Sequence, residues 1–182
     1  AGTKVDHMTQ NIDYVPTFLD AVGADIPDDI DGESFWPLLA GGDYTPKEQI
    51  FAERNWHGPS NDPMRSVRTE KYHLIKNFDT SLVTPWTPET VPGVKESFAS
   101  YPSSLFPRGE VPRPEVELYD LEKDPCDWND VADDPALGDV KEELLGALDG
   151  WMKETEDPLL EGEIPNELNP WPDAPTHPLP TS

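Results

Sequence analysis

The chain has 182 residues, with 37 Asp and Glu against 13 Lys and Arg, a formal net charge of −24. Nucleic acid and anionic membranes are repelled by such a surface, so neither is an expected partner. The single cysteine, Cys126, excludes an intrachain disulfide, and no apolar run approaches the ~20 residues of a membrane span.

Low hydrophobicity with high net charge is also the composition of disorder. Two features favour a folded protein instead. There are 6 Trp, 6 Phe and 5 Tyr, and the acids are spread along the chain rather than gathered in one block. A folded chain of this charge suits a salt-rich cytoplasm, where ions screen the self-repulsion. No signal peptide is visible, and one cysteine fits a reducing compartment, so a halophilic, cytoplasmic protein is expected.

In chain order, residues 1–45 predict two short helices. Asp13 can cap the first, with Pro16 in its first turn. Val15, Phe18, Leu19 and Val22 recur with helical spacing and predict one buried face, and Gly23 supplies the stop. Ser34 caps a second helix containing Phe35, Trp36, Leu38 and Leu39, which ends at Gly41-Gly42. Residues 46–158 change period. Gln49–Arg54, Met64–Thr69, Tyr72–Phe78 and Val116–Leu121 read as strands, the middle two joined by a tight turn at Glu70-Lys71. In the third, Tyr72, Leu74 and the Lys76 stem share one face and His73, Ile75 and Asn77 the other. Between them, residues 79–115 are rich in Pro, Ser and Thr: a functional loop or a disordered one. Asp133 or Asp134 caps a long helix, with Pro135 in its first turn and Val140, Leu144, Leu148 and Trp151 as its apolar stripe. Residues 159–182 are a Pro-rich irregular tail. The expected fold is α+β, a small antiparallel four-stranded sheet covered on one face by a long helix.

Catalytic chemistry is missing. His7, His57, His73 and His177 do not stand at metal-ligand spacing from one another, and there is no phosphate loop or nucleophile elbow. The acid run Asp25–Gly32 fails as an EF-hand loop. Aligned on Gly32, it puts Pro27 and Leu38 where side-chain oxygens are needed. The acids around Cys126 oppose thiolate formation. The expected catalytic and metal-ligand sets of this segment are therefore both empty.

Three stretches together resemble the sulfatase family of the alkaline-phosphatase-like superfamily. The first runs from Asn11 to Gly23 and continues with Asp31-Gly32-Glu33-Ser34 and Leu38-Leu39. The second is Met64-Arg65-Ser66-Val67-Arg68-Thr69 with Glu70 to Asn77. The third is Glu117-Leu118-Tyr119-Asp120-Leu121 with Glu122 to Pro125, then Asn129 and Asp133-Asp134-Pro135. Trp56-His57, Pro63-Met64-Arg65 and the run from Trp151 to Asp157-Pro158 look most like the N-sulfoglucosamine sulfohydrolase branch and its microbial relatives.

The resemblance implies that residues 1–45 are the helical end of the large α/β domain and that residues 46–158 are the carboxy-terminal subdomain. It implies hydrolysis of sulfate esters or sulfamates, with a sulfated sugar or small molecule as partner. It also implies calcium and a formylglycine nucleophile for the full-length family member, none of them carried by this segment. The C/S-x-P-x-R motif that yields formylglycine is absent, so this segment alone is expected to be inactive and to need the missing large domain. Its expected contribution is a wall of the substrate pocket. Arg65 would grip a sulfate or carboxylate, His57 would donate, Trp56 would stack on a sugar and Glu53 would accept from a hydroxyl. Blander roles stand beside these: Arg65 paired with a surface acid, His57 idle in a loop, Trp56 in a core. The alternative reading is a non-catalytic acidic interaction module, or a truncated product, that retains the sulfatase tail fold.

Overall fold

The computed structural model describes residue 2 and residues 4–57, 60–80 and 113–162, the side chains of residues 56, 57, 60 and 61 excepted. Most of the expected 79–115 loop and of the 159–182 tail lies outside these residues. Two compact units are present, Ala1–Ile50 and Phe51–Ser182.

In the first unit a 3-10 turn, Asn11–Asp13, runs into helix α1, Tyr14–Ala21. Asp13 does not cap α1 with its side chain. Its Oδ2 accepts the Gln10 N–H at 2.9 Å, and its Oδ1 accepts the Glu33 N–H at 3.0 Å and the Lys47 ammonium at 3.0 Å. The expected cap is thus a buried tie between three segments. Burial pushes the Asp13 carboxyl up, but the two backbone donors and Lys47 outweigh it and hold the group below its usual range.

The face expected to be buried on α1 is turned outward. Val15 is 56% exposed, Phe18 67% and Val22 78%, whereas Pro16 and Thr17 are buried. The helical period is correct, but among the described residues of this unit no element covers the stripe. Thr17 and Ser34 instead tie α1 to helix α2, Trp36–Ala40. Thr17 Oγ1 donates to the Asp13 carbonyl at 2.6 Å and accepts the Phe35 N–H at 3.0 Å. Ser34 Oγ donates to Asp20 Oδ2 at 2.6 Å and accepts the Trp36 N–H at 3.1 Å, capping α2 from just outside it. Gly41, at φ 81°, closes α2 in the left-handed region. At Gly32 a Cβ would sit 2.1 Å from the Ile12 carbonyl oxygen, so only glycine fits.

The second unit is built on an antiparallel sheet in the order β1-β2-β3-β4: β1 Ile50–His57, β2 Ser60–Arg68, β3 Tyr72–Asn77 and β4 Val116–Asp120. Val67 faces Leu74, and Leu74 faces Leu118; all three are fully buried. Thr69 Oγ1 accepts the N–H groups of Lys71 and Tyr72, which fixes the turn between β2 and β3.

Helix α3, Gly138–Glu154, covers this face. Asp134 Oδ1 accepts the Ala136 N–H at 2.9 Å in the 3-10 turn that opens it. Leu144 and Leu148 join Val67, Leu74, Leu118 and Ala132 in one core, and Trp151 stacks on Phe51 with ring centroids 5.1 Å apart. Met152 is buried beside the stripe the sequence marks. Against expectation, β1 extends to His57 and β2 begins at Ser60. Residues 56–63 carry no apolar alternation, so the period-2 signal is silent there. Pro63 stays in the ladder as an acceptor, its carbonyl taking the Phe78 N–H at 3.0 Å.

Candidate functional site

Arg65 lies on the α3 face of β2, one alternate position from Val67, and is fully buried. Its fork is bidentate on Asp157: Nε to Oδ2 at 2.5 Å and Nη2 to Oδ1 at 2.8 Å. Nη1 donates to Asn55 Oδ1 at 2.8 Å and to the carbonyls of Met64 at 2.9 Å and Arg54 at 3.2 Å. Asp157 follows α3, and its Oδ1 also accepts the Leu159 N–H at 3.0 Å. Burial pushes the Asp157 carboxyl up. Its hydrogen bonds from Arg65 and Leu159, with the Arg65 charge, outweigh burial and hold it below the usual range.

Glu53 stands on β1 with its Oε2 3.6 Å from Arg65 Nη2, and its side chain is 57% exposed. The structure therefore brings Glu53 and Arg65 together, Arg65 behind and Glu53 at the solvent edge. Trp56 and His57 belong to the same strand by their backbone, and their side chains lie outside the described residues. Asn55 and Asp157 complete the Arg65 network; the sequence marks Asp157 only as part of the run that resembles the sulfatase branch, and Asn55 not at all. Asp157-Pro158 carries a local helix-start signal, and Asp157 indeed opens a 3-10 turn at Pro158–Leu160. Nothing local links it to Arg65, 92 positions earlier.

The other face of the sheet carries a second polar network. Asp62 accepts from Arg54 Nη2 at Oδ2 and from Arg113 Nη1 at Oδ1, the latter at 2.5 Å. Asn77 Nδ2 donates to Glu117 Oε1 at 2.7 Å, and the Tyr119 hydroxyl donates to Glu117 Oε2 at 2.5 Å. Burial first, then the bond to Glu117, push the Tyr119 phenol far above its usual value. His73 Nδ1 lies 2.9 Å from Asp127 Oδ2.

Among the described residues no three His, Cys, Asp or Glu side chains are grouped to hold a metal ion. No group among the described residues fits the calcium ion that the resemblance implies for the full-length family member. No helix among the described residues is long and apolar enough to cross a membrane.

The model of the N-sulphoglucosamine sulphohydrolase C-terminal family matches residues 1–85. An ulvan-active sulfatase of Formosa agariphila is 30% identical over 166 residues, covering 90% of this chain and 32% of that protein. Human N-sulphoglucosamine sulphohydrolase is 26% identical over 133 residues, covering 66% of this chain and 26% of that protein. A solved structure of a candidate sulfatase from Bacteroides thetaiotaomicron superposes with a TM-score of 0.62 at 24% identity, covering 87% of this chain and 28% of that one. The chain thus spans a third or less of the length of these relatives. It belongs to the sulfatase family, of which it is a carboxy-terminal portion.

Proposed function

We propose that this chain is the carboxy-terminal part of a sulfatase that cleaves sulfate esters or sulfamates of a sulfated sugar, and that it contributes one wall of the substrate pocket. The observation that carries the reading is the Glu53–Arg65–Asp157 arrangement, seated in a chain matched to this family. A buried guanidinium fixed on two sides makes a rigid support, and a carboxylate at its exposed edge is a preorganised acceptor for a sugar hydroxyl. Arg65 is then a positioning residue. It orients Glu53 and Asn55 and pins the end of α3 to β2. Trp56 and His57, further along β1, are proposed as the stacking platform and the donor of the same wall.

The ulvan-active relative suggests a sulfated polysaccharide as substrate. The nucleophile and the calcium ion belong to sequence outside this chain. The extreme acidity points to work at high salt, where the net charge of −24 is screened.

The experiment is steady-state kinetics on the complete enzyme with Glu53→Gln and Glu53→Ala. A pocket-wall role raises KM for a sulfated sugar by about tenfold, the effect of one lost charged hydrogen bond of ~1.5 kcal/mol. Unchanged KM and kcat in both variants would remove Glu53 from the site.

A further inference from the structure

Arg54 and Arg113 share one carboxylate. Asp62 takes a hydrogen bond from each through opposite oxygens, and Arg113 Nη1 also reaches Asn77 Oδ1 at 3.4 Å. Two guanidiniums on one acid leave one unit of positive charge, in a chain whose net charge is −24. Glu117, which joins the network through Asn77, is engaged by Asn77 and the Tyr119 hydroxyl. Arg54 Nε is buried and has no hydrogen-bond partner among the described residues. Burial first, and then the charge of Arg113, pull the Arg54 guanidinium below its usual range, which marks two cations held together against repulsion. A buried donor without a partner is costly, and a fork with unused donors fits an oxyanion.

We propose that Arg54 and Arg113 form an oxyanion site that takes a sulfate group, with Asp62 holding the two guanidiniums side by side when no anion is bound. Sulfate suits it because a tetrahedral anion presents oxygens to both forks at once, whereas Asp62 already supplies the one planar carboxylate the pair can share. The choice of sulfate rests on the sulfatase reading; the binding of an oxyanion does not. The site lies on the sheet face opposite Arg65; it meets the Arg65 network at the Arg54 backbone, whose carbonyl accepts from Arg65 Nη1 at 3.2 Å, and uses none of that network's side-chain partners. It is therefore a second contact, able to hold a free sulfate ion or a sulfate group of a saccharide that is not being cleaved.

The test is calorimetric titration of the full chain with sodium sulfate at constant ionic strength, repeated with Arg54→Gln, Arg113→Gln and Asp62→Asn, each matched to the parent by near-ultraviolet circular dichroism. Saturable binding weakened about tenfold or more by either arginine variant is expected, the scale of one lost charge-assisted contact. Asp62→Asn removes the competing carboxylate and is expected to tighten sulfate binding. A network that serves only the fold would give no such gain. Sulfate affinity unchanged in both arginine variants, or non-saturable heat, would overturn the site. A glucosamine sulfate that binds more tightly than free sulfate, with the gain lost in Arg113→Gln, identifies the saccharide as the source. Sulfate binding that responds to the variants but is not displaced by the sulfated sugar leaves the oxyanion site standing and removes the saccharide reading.

Discussion

Arg65 Nε and Asp157 Oδ2 are 2.5 Å apart across 92 residues of sequence, and both side chains are buried. The pair joins a central strand to the end of α3, so it clamps the layers of the second unit together. Removing one partner strands a buried charge. Arg65→Ala or Asp157→Ala should each cost about 3–5 kcal/mol in denaturant unfolding, while a paired replacement by Met and Leu should cost less. A loss below ~1 kcal/mol for either single change would show that water reaches the pair and replaces the missing partner.

The same pair sets an acid limit. Asp157 titrates below its usual value of 3.8 in the folded chain. Its contribution is therefore complete above that value and is lost as pH falls through the lowered one. Asp13 is shifted in the same direction and adds to the effect in the first unit. The stability gap between the parent chain and Asp157→Asn should hold steady near neutrality and shrink as pH falls below 3.8. A gap that stays constant down to about pH 2 would mean the carboxylate is not the stabilised form.

Gly32 tests the first unit. A methyl group at its Cα meets the Ile12 carbonyl at 2.1 Å, against backbone that cannot swing away. Gly32→Ala should cost about 1–3 kcal/mol and disturb the Glu33 N–H bond to Asp13. Thermal melts followed by circular dichroism read the loss, and an unshifted midpoint would show that the 31–33 segment can retreat.

The outward stripe on α1 predicts association. Phe18 and Val22 are 67% and 78% exposed, in a chain whose net charge of −24 keeps copies apart at low salt. Raising salt from about 0.01 M to 1 M shortens the screening length from ~30 Å to ~3 Å, which both favours the compact state and lets the stripes meet. Light scattering should show self-association growing with salt, relieved by Phe18→Ser without loss of stability. A monomer at all salt concentrations, with a cooperative fold at the lowest, would contradict this.

Much of the second unit was legible in the sequence because its core repeats cleanly. Leu74 alternates in β3, Leu144 and Leu148 recur on α3, and Asp134 stands where the cap belongs. What stayed hidden has physical reasons. The last residues of β1, Trp56 and His57, and the first of β2, Ser60 to Pro63, form strand without apolar alternation, so nothing in their sequence marks them as strand. On α1 the spacing of Val15, Phe18 and Val22 reveals a common face, but spacing says nothing of whether a covering element is at hand. The sequence offers Arg65 either as a ligand-gripping fork or as the partner of an acid, and Glu53 as an acceptor in the wall. Asn55 and Asp157, which receive the fork in the structure, carry no local sign of it.

The proposal that this chain is the tail of a working sulfatase is tested most directly by sequencing the coding DNA upstream of Ala1. An in-frame C/S-x-P-x-R motif preceded by an Asp pair is the expected result, since it would supply the nucleophile motif that is absent from this sequence and metal ligands of the kind the resemblance implies. A stop codon followed by a start immediately before Ala1 would contradict the proposal, because the natural product would then have no nucleophile to which Glu53, held by Arg65, could present a substrate.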